Sequence, residues 1–107
     1  MTLRSVLLDD EAILYIDGAF DDTVAPIYHT TVEHAFTNGA RTVVMDLTRT
    51  TAIDGGGIAA LAATAAACKA RNGQLIIATP DGVQTAISDP AQVRVLLRGV
   101  DPWREAG

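Results

Sequence analysis

The sequence has few of the residues that cross-link or stiffen a small protein. Cys68 is the one cysteine, so an internal disulfide is excluded, and a reducing compartment fits this composition. Proline occurs four times, and the aromatic residues are one Trp, two Tyr and two Phe. Stability must therefore come from one aliphatic core, and the 49% of hydrophobic residues is enough to form one in a single domain spanning residues 1–107.

Long apolar runs are also missing. No stretch approaches the roughly 20 residues that a membrane-spanning helix needs. Residues 1–10 lack the basic stretch and apolar block of a secretory signal. We therefore expect a cytoplasmic protein without membrane insertion.

Positive charge is scarce. Eight Lys and Arg face thirteen Asp and Glu, which gives a net charge of −5. A nucleic-acid-binding domain normally carries a basic patch or stripe, and the few basic residues here are scattered. Direct binding to nucleic acid or to an anionic membrane surface is therefore not expected.

The residues offer no convincing catalytic or metal-binding set. Ser5 and Ser88 are the two serines, and neither lies in a nucleophile-elbow pattern. His29 and Glu33 are four residues apart on a predicted helix, but no second cluster of ligands accompanies them. We expect a non-enzymatic protein with no metal and no cofactor.

The hydrophobic pattern predicts the order β-β-α-β-α-β-α. A mixed four-stranded sheet in the order 1-2-3-4 follows, with an antiparallel edge hairpin and the main helices on one face. Gly18 is expected to end the second strand, and Asp21, Asp22 and Thr23 are candidates for the N-cap of the first helix. The predicted strands cover 3–8, 12–17, 42–47 and 74–79, and the predicted helices cover 27–38, 57–71 and one or two short segments within the last 25 residues.

Two regions carry a family resemblance. Residues 43–48 read Val-Val-Met-Asp-Leu-Thr, and residues 51–61 contain Asp-Gly-Gly-Gly before an alanine-rich helix. The tail from Val93 to Asp101 matches the end of a closing helix. Together these segments resemble the STAS domain of anti-sigma factor antagonists, also called anti-anti-sigma factors. The stretch from Asp81 to Pro90 is longer than usual for that family and is interpreted as an insertion.

The resemblance implies a phosphorylation switch that this chain lacks. In the family, the second serine of an Asp-Ser-Ser-Gly motif is phosphorylated, and the aligned residues here are Gly55 and Gly56. Glycine has no hydroxyl group, so Gly56 cannot carry the phosphate. Thr50 or Thr51 is an alternative phosphoacceptor. The favoured interpretation is that these threonines belong to an ordinary polar loop.

The resemblance also implies a partner surface. Asp54 is expected to cap the helix, while the glycines leave bare backbone that a partner can approach closely. Ala59, Ala60 and Ala63 are expected to face away from the buried stripe of Ile58, Leu61, Ala65 and Cys68. The predicted partner-binding residues are Thr50, Thr51, Asp54, Gly55, Gly56, Gly57, Ala59, Ala60 and Ala63.

The function implied is binding to an anti-sigma factor with an ATPase or kinase fold, and thereby control of sigma-factor-dependent transcription. The rival is a non-phosphorylated STAS accessory or scaffold module of a signalling assembly or membrane transporter. A small-ligand sensor with a cleft beside the loop is a third hypothesis. Whether the chain forms a homodimer, and whether Trp103 covers the core or contacts a partner, stay open.

Overall fold

The computed structural model describes residues 2–98, and within them three helices pack on one face of a six-stranded sheet. The strands are β1 (Thr2–Leu8), β2 (Glu11–Phe20), β3 (Thr42–Asp46), β4 (Thr50–Ile53), β5 (Leu75–Ala78) and β6 (Gln84–Ile87), and the helices are α1 (Ala25–Thr37), α2 (Gly55–Ala70) and α3 (Pro90–Arg98). Trp103 and the end of the segment from Val93 to Asp101, which the sequence analysis singled out, lie outside the described residues.

The main sheet order is β1-β2-β3-β5-β6. Strand β4 lies off this path and pairs with β2. The hairpin β1–β2 is antiparallel, β2–β3 and β3–β5 are parallel, and β5–β6 is antiparallel. The mixed α/β fold and the order of the four predicted strands are confirmed. The number four is wrong, because β4 and β6 extend the sheet.

Gly18 does not end β2. The strand runs on to Phe20. Residues Glu11–Tyr15 pair with β3, and from Gly18 onward the strand pairs with β4, with a register shift between Gly18 and Ala19 inside that second pairing. Gly18 has a φ of 105°, which glycine adopts without steric cost. It therefore forms an irregularity inside the strand that lets one long strand pair with two short ones.

Strand β4 occupies a stretch that was read as a polar loop. Its sequence Thr-Thr-Ala-Ile is rich in β-branched residues, and Thr50 and Ile53 are buried. Strand β6 lies within the stretch from Asp81 to Pro90, so that stretch is an added hairpin strand followed by the start of α3. A turn at residues 79–82 precedes β6, closed by a hydrogen bond from the Gly82 N–H to the Thr79 carbonyl at 2.8 Å.

Helix α1 begins without the predicted side-chain cap. Val24 is the N-cap residue and makes no capping hydrogen bond through its side chain. Asp21 instead folds the preceding turn, because its carboxylate accepts the Thr23 N–H at 3.0 Å. Hydrogen bonds from the Thr23 hydroxyl and from the Thr23 N–H hold the pKa of Asp21 below its ordinary value. The stop at Asn38-Gly39 is confirmed, with Asn38 as C-cap and Gly39 at a φ of 97°.

The core lies between the helices and one face of the sheet. Alternate residues of β2 and its neighbours point into it, namely Ala12, Leu14, Ile16, Val43, Met45, Leu75 and Ile77, all at most 1% exposed. The opposite face carries half-buried residues such as Ile13, Tyr15 and Val44. Val93 and Leu97 of α3 are buried against this core, and Leu96 is half-buried.

One polar contact joins the two main helices inside the core. The Tyr28 hydroxyl of α1 is hydrogen-bonded to the Thr64 hydroxyl of α2, and both side chains are buried. Thr64 also donates to the Ala60 carbonyl at 3.0 Å, so the Tyr28 O–H is the donor to Thr64. Burial raises the pKa of Tyr28, which keeps the phenol protonated.

This pair yields a test of the packing between α1 and α2. We expect Thr64→Val to lower the free energy of unfolding by about 2 kcal/mol, because the Tyr28 hydroxyl loses its buried acceptor, and Tyr28→Phe by about 1 kcal/mol. The double variant should cost less than the sum. Urea unfolding measures each value. Thr30→Val is the matched control, because Thr30 is exposed on α1; strict additivity in the double variant would contradict the pairing.

Candidate functional site

The corner between β4 and α2 places Asp54 as predicted. Its carboxylate accepts a hydrogen bond from the Gly57 N–H at 2.9 Å and caps the first turn of α2. Helix α2 starts at Gly55, two residues earlier than the predicted start at Gly57. The glycines therefore form the first helical turn, and no loop separates Asp54 from the helix.

Gly57 is required by a close backbone contact. It is buried, and a Cβ at this position would lie 2.6 Å from the Phe20 carbonyl oxygen and 2.8 Å from Cγ1 of Ile53. The Asp54 N–H also donates to that Phe20 carbonyl, at 3.3 Å. The end of β2 thus contacts the first turn of α2 directly. Gly57 is a packing residue rather than a part of the exposed surface.

Gly56 has a different neighbour, which the sequence analysis did not identify. A Cβ at Gly56 would lie 1.9 Å from the Asp22 carboxylate oxygen and 3.2 Å from that of Asp54. Asp22 follows β2 and had been read as a turn or capping residue. In the conformation described, its carboxylate, the end of an exposed and flexible side chain, lies where a side chain at position 56 would stand. No sequence motif links Asp22 to Gly56, because 34 positions separate them.

Thr50 and Thr51 lie differently in β4. Thr50 is 3% exposed, and its hydroxyl donates to the Ile16 carbonyl at 2.8 Å, so its side chain belongs to the sheet interior. A partner or a kinase would have to open the sheet to reach it. Thr51 is exposed. Thr51 therefore stays in the predicted partner surface. Thr50 was assigned to that surface wrongly, because its side chain is buried.

The three alanines of α2 that were predicted to lie at the surface differ in exposure. Ala59 and Ala63 are exposed and lie four residues apart on one face of α2. Ala60 is 2% exposed and packs in the core, so the expectation that it faces outward is wrong. The reason is that α2 lies between α1 and α3, which bury a wider arc of the helix than a sheet alone would. Gly55 and Asp54 are exposed beside Ala59 at the helix start.

The remaining candidates take structural positions. Cys68 is fully buried on the predicted stripe, and burial raises the pKa of its thiol, so it fills core space in the protonated form. His29, Glu33 and His34 are exposed on α1. Among residues 2–98 no three His, Cys, Asp or Glu side chains are grouped to hold a metal ion.

Two cavities in the described part of the chain lie away from the corner. A groove of about 470 Å³ lies between β6 and α3, and a pocket of about 200 Å³ lies beside Tyr15 and Asp46. Residues 54–57 line neither of them. No helix among residues 2–98 combines the length and the apolar character that crossing a bilayer would demand.

Comparison with known families then identifies the domain. A family model described as "Mlab, STAS domain" matches residues 4–99. The chain belongs to the STAS domain family. The capped, glycine-rich start of helix α2 lies within the matched residues.

Solved structures agree on the STAS fold. The unphosphorylated anti-sigma factor antagonist SpoIIAA is similar, with a TM-score of 0.69, 15% identity, and coverage of 98% of this chain and 93% of that one. A Thermotoga maritima protein assigned as an anti-sigma factor antagonist has a TM-score of 0.68 and 16% identity, with coverage of 97% and 90%. Mglu matches with a TM-score of 0.60 and 22% identity over 69% of this chain and 18% of its own. No curated protein matches the sequence.

Two glycine substitutions test the geometry of the corner. Gly57→Ala should lower the free energy of unfolding by about 2 kcal/mol, because the new methyl group would press on the rigid Phe20 carbonyl. Gly55→Ala is the matched control, since a Cβ there meets nothing within 4 Å. It should leave stability unchanged or raise it by up to about 1 kcal/mol through helix propensity. Equal losses in urea unfolding for both variants would contradict the described packing.

Proposed function

We propose that this STAS domain is a non-enzymatic, cytoplasmic anti-sigma factor antagonist that binds an anti-sigma factor with an ATPase or kinase fold. The observation that carries the proposal is the corner formed by the exposed residues Asp54, Gly55, Ala59 and Ala63 and the half-buried Gly56, on a fold shared with SpoIIAA. By sequestering the anti-sigma factor, the domain would release a sigma factor for transcription.

The chemistry of the corner defines what the partner must offer. Gly55, Ala59 and Ala63 have little or no side chain, so a partner backbone or helix can approach α2 closely. Asp22 and Asp54 are exposed and flank this smooth strip with two carboxylates. A partner surface with Arg or Lys opposite these carboxylates, and a flat apolar patch beside them, would be complementary.

Binding in this proposal does not depend on phosphorylation at the usual position. Gly56 has no hydroxyl, and the Asp22 carboxylate already occupies the neighbouring space. A phosphate would add roughly −1.5 to −2 charge at the start of α2, where the family switch acts. Here the local charge is fixed by Asp22 and Asp54, so control must come from the amount of the protein or from the state of its partner.

The first experiment probes the corner with two arginine variants. Ala59→Arg should weaken binding to the anti-sigma partner by at least about tenfold, because the long cation fills the smooth strip. Ala70→Arg is the matched control, since it is exposed on the same helix about 16 Å further along. Its affinity should stay within about twofold of wild type. Titration calorimetry provides the affinities, and unchanged binding by Ala59→Arg would refute this contact surface.

A second experiment addresses the missing switch. After incubation with the anti-sigma kinase and ATP, the wild-type chain should show no gain of about 80 Da by intact-mass measurement. The double variant Asp22→Ala/Gly56→Ser restores both the hydroxyl and the space, and it should gain one phosphate. Stoichiometric modification of the wild-type chain would overturn constitutive binding.

A second candidate function is an accessory or scaffold STAS module in a signalling assembly or a membrane transporter. Two observations favour it: the absent hydroxyl at Gly56, and a matching family model that is named after Mlab rather than after an antagonist. Affinity capture with wild type and Ala59→Arg discriminates the two. Loss of an ATPase-fold anti-sigma factor in the variant supports the first function, and loss of transporter or scaffold subunits supports the second.

A further inference from the structure

Strand β1 is a free edge of the sheet. Its seven residues pair with β2 on one side, and no other strand of the described residues lies along its outer side. The opposite edge, β6, is four residues long. The outer side of β1 thus presents a row of backbone N–H and C=O groups long enough to pair with another strand.

Exposed apolar side chains are concentrated on this edge. Val6, Leu7 and Leu8 are consecutive and are 43%, 43% and 56% exposed. Successive strand residues point to opposite faces, so β1 presents apolar surface on both faces of the sheet. The other large exposed apolar side chains, Ile27, Val83 and Val95, are separated along the sequence. Single exposed residues of that kind are ordinary, whereas three on a free edge indicate an association surface.

The features that usually protect an edge are absent from β1. It contains no Pro or Lys, and its register with β2 runs without a shift from Thr2, opposite Asp17, to Leu8, opposite Glu11. Arg4 is its one charged residue. The Arg4 guanidinium lies over the Tyr15 ring, 5.5 Å from the ring centroid, so it is drawn inward over the sheet.

A line of apolar residues on the helix-free face suggests the register of pairing. Val6 lies opposite Ile13, Ile13 opposite Val44, and Val44 opposite Ile76. The line ends at Val6 because the sheet ends there. An antiparallel copy of β1 centred on Val6 would place a second Val6 next in this line and continue it through a second sheet.

Charge permits a second copy in that register. Arg4 lies opposite the uncharged Leu8 of the second copy, and Asp10 stays paired with Arg41 of its own chain at 2.9 Å. No two like charges of residues 2–8 therefore lie directly opposite. The chain as a whole carries a net charge of −5, and β1 is a strand without any acidic residue.

We propose that two copies of this chain form a homodimer by antiparallel pairing of their β1 strands about a two-fold axis at Val6. The surface is separate from the corner at Asp54. Leu8 pairs with Glu11 at the start of β2, whereas Ile53 pairs with Phe20 at its end. Ten strand residues span about 30 Å, so dimerisation and the proposed partner binding can fail or succeed independently.

Sedimentation equilibrium on the full chain tests the dimer. The wild-type chain should show a concentration-dependent monomer–dimer equilibrium, and Val6→Lys/Leu8→Lys should raise its dissociation constant by at least about tenfold. The matched control Val83→Lys/Val95→Lys replaces two exposed apolar residues elsewhere and should change it by less than about twofold. A wild-type chain that stays monomeric, or a dimer that only the control variant disrupts, would overturn the proposal.

A cysteine variant tests the register without depending on a disruptive substitution. Val6→Cys places the same thiol on both sides of the two-fold axis, at a separation that a disulfide can span. Mild oxidation should give a covalent dimer, whereas Ala86→Cys on β6 should give none. Native Cys68 is buried and does not compete. Cross-linking through Ala86→Cys, and none through Val6→Cys, would place the interface at the other edge and refute the proposal.

Discussion

The contact between the Phe20 carbonyl and the first turn of α2 is the constraint on which the geometry of the candidate corner depends. Gly57 lies so close to this oxygen that no side chain fits between them. Asp54 binds the same region twice, through its N–H to Phe20 and through its carboxylate to the Gly57 N–H. The start of α2 is therefore fixed against the end of β2, and the exposed residues that follow keep a defined orientation.

Residue pattern alone predicts the elements whose sequences are long and consistent. The compact apolar run at 42–47 and the alanine-rich helix after Asp54 were both found, and so was the cap by Asp54. Strands β4 and β6 were missed because four residues carry too little periodicity to distinguish them from a loop. Gly18 was misread because a glycine looks the same in sequence whether it ends a strand or forms a bulge inside one.

The candidate site was predicted in its position along the chain but only partly in its exposed residues. Helical spacing placed Ala60 outside because it counted only the stripe that faces the sheet, whereas α1 and α3 also cover α2. The position of Asp22 beside Gly56 could not be predicted from the sequence, for a different reason. Its contact with position 56 is created by tertiary folding across 34 residues, and nothing local in the sequence encodes it.

The position of Asp22 changes how the missing serine is understood. A simple Ser-to-Gly replacement would leave space beside α2, which a partner side chain could enter. Instead the exposed Asp22 carboxylate lies in that space, beside the position where the family resemblance implies a phosphate. A partner of the proposed kind must accommodate this carboxylate. In the proposed function, regulation therefore acts through the partner or through abundance.

Strand β2 connects the two surfaces that the structure offers. It pairs with β1 over Glu11–Asp17 and with β4 from Gly18 onward, so the proposed dimer edge flanks its first part and the proposed partner corner lies at its end. A two-fold axis at β1 would then place two identical corners at the far ends of one extended sheet. Such an arrangement presents two partner sites on one rigid body, and a partner that is itself dimeric would bind it with an avidity that neither corner has alone.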